Sequence, residues 1–153
     1  LKEVTREAQN SPSAEELYSQ VVSSATNRAS ETGSYHYTLD EVASLERANQ
    51  LDDGHLGATH ILSWVYSTYP EYIDNRELRE RSLTYAKLLH DRDLNDEWSR
   101  YEILGAALYA NGHFSLGDTA FDEAIAKAES VDQKIYFKAT KARIRELHLE
   151  ATK

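Results

Sequence analysis

Apolar residues return along most of this chain at intervals of three or four, the spacing that lines one side of an α-helix. Leu17, Val21 and Ala25 form one such row, and Val42, Leu45 and Ala48 a second. Ala58, Leu62 and Tyr66 make a third, and Leu78, Ser82, Tyr85 and Leu89 a fourth. Polar residues fill many of the positions between them. Strict alternation, the mark of a half-buried strand, does not set in, so the pattern predicts an all-α protein.

Helix-start signals precede several of these rows. Ser13-Ala-Glu-Glu16, Thr38-Leu-Asp-Glu41 and Ser130-Val-Asp-Gln133 each place a hydroxyl three residues before a Glu or Gln. In that arrangement each side chain can accept from the other residue's backbone N–H, which would otherwise lack a partner in the first turn. Asp74-Asn-Arg-Glu77 and Ser115-Leu-Gly-Asp118 are looser versions. Turn chemistry separates the rows at Thr32-Gly33-Ser34, Asp52-Asp53-Gly54, Pro70 and Asn111-Gly112. Together these signals predict seven helices, over 13–30, 38–50, 55–68, 74–90, 96–110, 115–129 and 131–149. Residues 1–12 are expected to form a polar tail ahead of a single domain, 13–153.

Composition narrows the function more than the fold. Two prolines and six glycines in 153 residues suit long helices with short turns. The absence of cysteine removes disulfides, thiol chemistry and cysteine-bound metals. A formal net charge of −9 disfavours nucleic acid and anionic lipid, which attract a positive surface. No apolar run reaches the roughly 18 residues of a membrane span. Membrane insertion is therefore not expected, and cytoplasmic and periplasmic locations both stay open.

A longer motif appears downstream. Tyr101-x2-Leu104-Gly105-x2-Leu108 is followed by Asn111-Gly112-His113-Phe114, and then by Gly117, Phe121 and Ala124. In type and spacing this stretch resembles one tetratricopeptide repeat, a pair of antiparallel helices about 34 residues long. Gly54-x3-Ala58-x3-Leu62-x3-Tyr66 resembles the first helix of the related Sel-type repeats, with Ser82, Tyr85-Ala86 and Leu89 on its partner. A shift of one repeat carries Tyr101, Gly105 and Leu108 onto Ile135, Ala139 and Ala142, with Lys138 at the place of Leu104. That suits a terminal helix whose outer face meets water. The resemblance implies antiparallel helical hairpins stacked as a short right-handed tetratricopeptide-like solenoid of about seven helices. It also implies that Gly105 and Gly117 mark a close helix crossing.

The family's function follows as an expectation: an adaptor or scaffold that holds a protein or peptide on its concave face. Carried over by position, the groove residues are His60, Trp64 and Ser67, then Glu102, Ala106 and Tyr109, then Tyr136, Thr140 and Arg143. A structural or self-associating module is the alternative, and homo-oligomers are compatible with it. The Lys and Asn residues by which the family's best-known grooves clamp a terminal carboxylate are missing. No nucleophile elbow, metal-binding helix motif or phosphate loop occurs, so no enzyme, cofactor or metal is expected. The nearest approach to a metal site is Asp91-x-Asp93-x-Asn95 with Glu102, the spacing of a calcium loop. Asp96 stands where that loop requires a glycine and Trp98 where it wants a branched apolar residue. An acidic turn is the better reading, and a calcium-dependent switch the lesser one. His55 and His60, five apart, point to different faces of one helix and do not make a ligand pair.

Overall fold

The computed structural model describes residues 11–92 and 97–152. Among the described residues the chain is all-α, with seven helices: α1 (Ala14–Thr32), α2 (Leu39–Leu51), α3 (Leu56–Thr68), α4 (Arg76–Asp91), α5 (Glu97–Ala110), α6 (Phe114–Ala126) and α7 (Val131–Ala151). The predicted helices match these within a few residues. The hydroxyl caps sit where the sequence placed them. Ser13 accepts from Glu16 N–H, Ser130 accepts from Gln133 N–H, and Thr38 and Glu41 form the full reciprocal box. Two looser signals were misplaced by their pattern. Asn75, not Asp74, caps α4 through Leu78 N–H. At α6 the cap position is His113, without a side-chain bond, and Ser115 lies inside the helix.

Among the described residues the chain packs as two compact units, divided after Ala58. The division falls inside α3, so no linker composition announces it. In the first unit, Val21 and Ala25 of α1 and Val42, Leu45 and Ala48 of α2 are buried. Gly33 ends α1 in a left-handed conformation, φ 82°, which a residue with a Cβ rarely adopts. Arg28 closes the turn, donating to the His36 carbonyl at 2.6 Å and to Glu41 Oε1 at 2.5 Å. Burial works against the Glu41 charge, but the bonds from Arg28 and the Thr38 backbone outweigh it and hold the carboxyl below its usual range. His55 joins the start of α3 to α1. Its Nδ1 accepts from Ala58 N–H, so the proton on Nε2 is the one given to Glu15 at 2.8 Å.

The second unit is built on the crossing of α5 and α6. A Cβ at Gly105 would stand 2.5 Å from the Phe121 ring, and one at Gly117 would stand 2.5 Å from the Tyr109 ring and 3.2 Å from Gly105 O. Each glycine is therefore a socket for an aromatic ring of the other helix. Phe121 is fully buried, which by itself stabilises by about 1.5–3 kcal/mol. Tyr109 stacks on it with centroids 5.4 Å apart and planes 14° apart. Side-chain bonds to backbone tie the remaining helices together. Ser63 Oγ of α3 donates to Ser82 O of α4 at 2.8 Å, and Asn111 Nδ2 donates to Arg79 O at 2.8 Å. The loop before α4 is held by Arg79, which donates to Ile73 O at 2.5 Å, and by Tyr72, whose ring meets Tyr66 edge-on at 5.4 Å.

α7 is where the projected repeat register and the packing part. Its buried residues are Phe137, Thr140, Ile144 and His148, one helical face at spacings of three and four. Ile135, Ala139 and Ala142, the positions reached by the one-repeat shift, are exposed. The outer face that meets water thus includes this whole row as well as Lys138.

Candidate functional site

The nine groove residues named from the sequence lie in the second unit and come from α3, α5 and α7. They do not form an open wall. Ser67, Glu102, Ala106, Tyr109 and Thr140 are buried, so they are not the ligand-facing residues that the sequence suggested. α7 packs over this wall with the face that carries Thr140. Phe137 meets Trp98 at 5.5 Å, Ile144 shares a core cluster with Ala106, Tyr109 and Phe121, and Trp64 packs against that cluster. Further on, His148 Nε2 lies 2.6 Å from the Ser67 carbonyl. A carbonyl can only accept, so Nε2 carries a proton. These contacts ascend both helices together: α7 runs beside α5 in the same direction, and its C-terminal end reaches α3. The surface expected to hold a foreign peptide is filled by the chain's own last helix.

Tyr109 shows why position alone misled. Its ring occupies the socket left by Gly117, between α5 and α6. Its hydroxyl donates to Asp118 Oδ1 at 2.5 Å, and Arg145 Nε of α7 donates to the same oxygen at 3.0 Å. One carboxylate thus joins three helices. Burial and the neighbouring Asp118 push the Tyr109 hydroxyl well above its usual pKa. Burial would raise Asp118 too, but the bonds from Tyr109 and Arg145 prevail and hold it low. Lys141 pairs with Asp122 at 2.9 Å, one turn along both helices.

Glu102 is the chemically unusual member of the set. Only 8% of it is exposed, and Oε2 has no hydrogen-bond partner. Burial pushes its carboxyl up to about 7, against the pull of Arg143. Tyr136 stands near enough to feel its charge. Tyr136 is 52% exposed and Arg143 is exposed, so both stay at the rim. Half-buried His60 places Nε2 2.9 Å from Ser99 Oγ. Of the calcium-like spacing, Asp93, Asn95 and Asp96 lie outside the described residues.

Two features went unread in the sequence. His148 continues the Phe137, Thr140, Ile144 row by four residues, and that row was the available signal. The second is a cleft of about 610 Å³ between α4, the turn after α5 and the end of α7. Its cations are partly engaged: Arg76 pairs with Glu80 at 2.9 Å, and Arg79 is bonded to Ile73 O. Asp74 and Glu80 also line it, so its charge does not single out one kind of ligand.

The surface left unused is the outward side of α7. Val131 is 73% and Ile135 61% exposed, and Ala139 and Ala142 continue the row in water. α7 is thus apolar on two opposite sides, one packed and one open. No family model matches the chain, and neither does any curated protein or solved structure.

Proposed function

We propose that this chain is a protein-interaction module that binds its partner on the outward side of α7. The observation that carries this reading is the solvated apolar row Val131, Ile135, Ala139 and Ala142. Exposed apolar residues scattered singly need no explanation, but a row along one helix face is a feature of binding surfaces. The tetratricopeptide-like register supports the reading. In α5 the corresponding residues are covered, with Gly105 beneath Phe121 and Leu108 buried. The equivalent row on α7 has no such cover among the described residues. The concave wall is the weaker candidate, since a ligand there would have to displace Ile144 and His148.

Ile135→Asp tests this directly. The side chain already stands in water, so the variant should melt with the wild type. It should lose the proteins that cross-link to the wild-type chain in a native extract. Equal cross-linking by both proteins would rule out this face. A monomer–dimer shift between them in light scattering would show self-association instead.

A further inference from the structure

The chain contains its own example of how such a row is covered. On α5, the small residue Gly105 receives the Phe121 ring of α6. On α7, Ala139 holds the Gly105 position and Ala142 that of Leu108, two short side chains beside Ile135; Ala139 carries the Cβ that Gly105 lacks, so a covering ring would stand further out than Phe121 does. The neighbouring charges have a template as well. Asp118 and Asp122 of α6, one turn apart, pair with Arg145 and Lys141 of α7. Lys134 and Lys138 continue that basic edge toward the start of α7, one turn apart and exposed beside Val131 and Ile135.

We propose that the outward side of α7 receives an amphipathic helix from another protein, carrying a bulky apolar ridge and an edge of acidic residues one turn apart. This rests on the reading of that face as the binding surface and specifies what it binds. The ridge would lie across the short side chains of Ala139 and Ala142, beside Ile135, without the close approach that Gly105 allows Phe121. The acidic edge would meet Lys134 and Lys138 as Asp122 and Asp118 meet Lys141 and Arg145. A second copy of this chain fits less well, because pairing two α7 faces brings two copies of the same basic edge into one interface. Like charges opposed in that way count against a partner.

The test uses the full chain and two synthetic helical peptides of about 18 residues, long enough to hold a helix when docked. Both carry the same leucine and phenylalanine ridge; one has glutamates along its edge and the other lysines. In fluorescence anisotropy the glutamate peptide should bind about tenfold tighter than the lysine peptide, a gap that two exposed ion pairs and two relieved repulsions can supply. The gap should shrink with added salt, and binding should vanish in Ile135→Asp, whose unchanged melting curve certifies its fold. Equal affinities overturn the proposal, as does binding that survives Ile135→Asp, or a wild-type chain that is dimeric where Ile135→Asp is monomeric. Extract cross-linking separates the two claims. If it is lost in Ile135→Asp while the peptides bind alike, the face stands and the acidic helix falls. If cross-linking is unchanged, both fall.

Discussion

A methyl group at Gly117 would have to share space with the Tyr109 ring, and one at Gly105 with Phe121. Neither ring has a free direction, because the two stack on each other. Gly117→Ala should therefore force the helices apart and cost about 1–3 kcal/mol, the usual range for overpacking. Urea denaturation reads the difference, and an unchanged midpoint would mean a looser crossing than described. Tyr109 gives the complementary test. Tyr109→Ala empties the socket over Gly117 and should cost about 3–5 kcal/mol. Tyr109→Phe keeps the ring and removes only the hydroxyl bond to Asp118. It should cost about 1 kcal/mol, near the low end for a bond to a charged group because Asp118 is partly exposed. If the alanine variant kept wild-type stability, Tyr109 would have to face an open groove after all.

At the scale of one element, α7 is a helix whose two apolar sides have different fates. Ile144 lies in the cluster with Ala106, Tyr109 and Phe121, and Ile135 lies in water. Ile144→Ala should cost about 2–5 kcal/mol, as buried truncations do. Ile135→Ala should change stability by no more than about 0.5 kcal/mol. Thermal melting by circular dichroism compares the pair without knowledge of any partner. Equal losses at both would show that the outward side is packed too. The periodicity of three and four fits either side of α7, so the sequence alone could not rank them. The repeat register chose Ile135, Ala139 and Ala142 because it assumes that α7 meets its neighbours as α5 does. What α7 meets instead is the hollow beside Trp64, Ala106 and Tyr109, which Ile144 fills, and Trp98, against which Phe137 packs.

Across the whole molecule the acid–base balance makes stability depend on pH in two opposing ways. Glu102 has its folded pKa raised from 4.5 to about 7. Its contribution is fully present below about 4.5 and is lost as pH rises toward 7, on the order of 3 kcal/mol. His148 is held neutral, its pKa lowered chiefly by burial. Its contribution is present above about 6.5 and is lost as pH falls below that value. Glu102→Gln should therefore be more stable than wild type at pH 8 and keep only the loss on the acid side. Denaturation midpoints from pH 5 to 8 test this, and parallel curves for the two proteins would refute a buried, unpaired carboxyl.

What the sequence determined by itself is local in physical origin. Caps such as Ser13, Thr38 and Ser130 satisfy backbone groups within four residues, and apolar rows declare a helix whatever it later packs against. The crossing at Gly105 and Gly117 was legible for a related reason, since two small residues on adjacent helices leave room that only an aromatic ring fills. Three things were decided by tertiary structure alone. Ser67 and Tyr109 became interior because α7 and α6 close over them, and Thr140 because its side of α7 is the packed one, a matter of where distant segments come to rest. The chain divides inside α3, where helical continuity hides any boundary. The open side of α7 was settled by competition: both of its faces are apolar, burial rewards contact area without direction, and the hollow between α3 and α5 had room for only one of them.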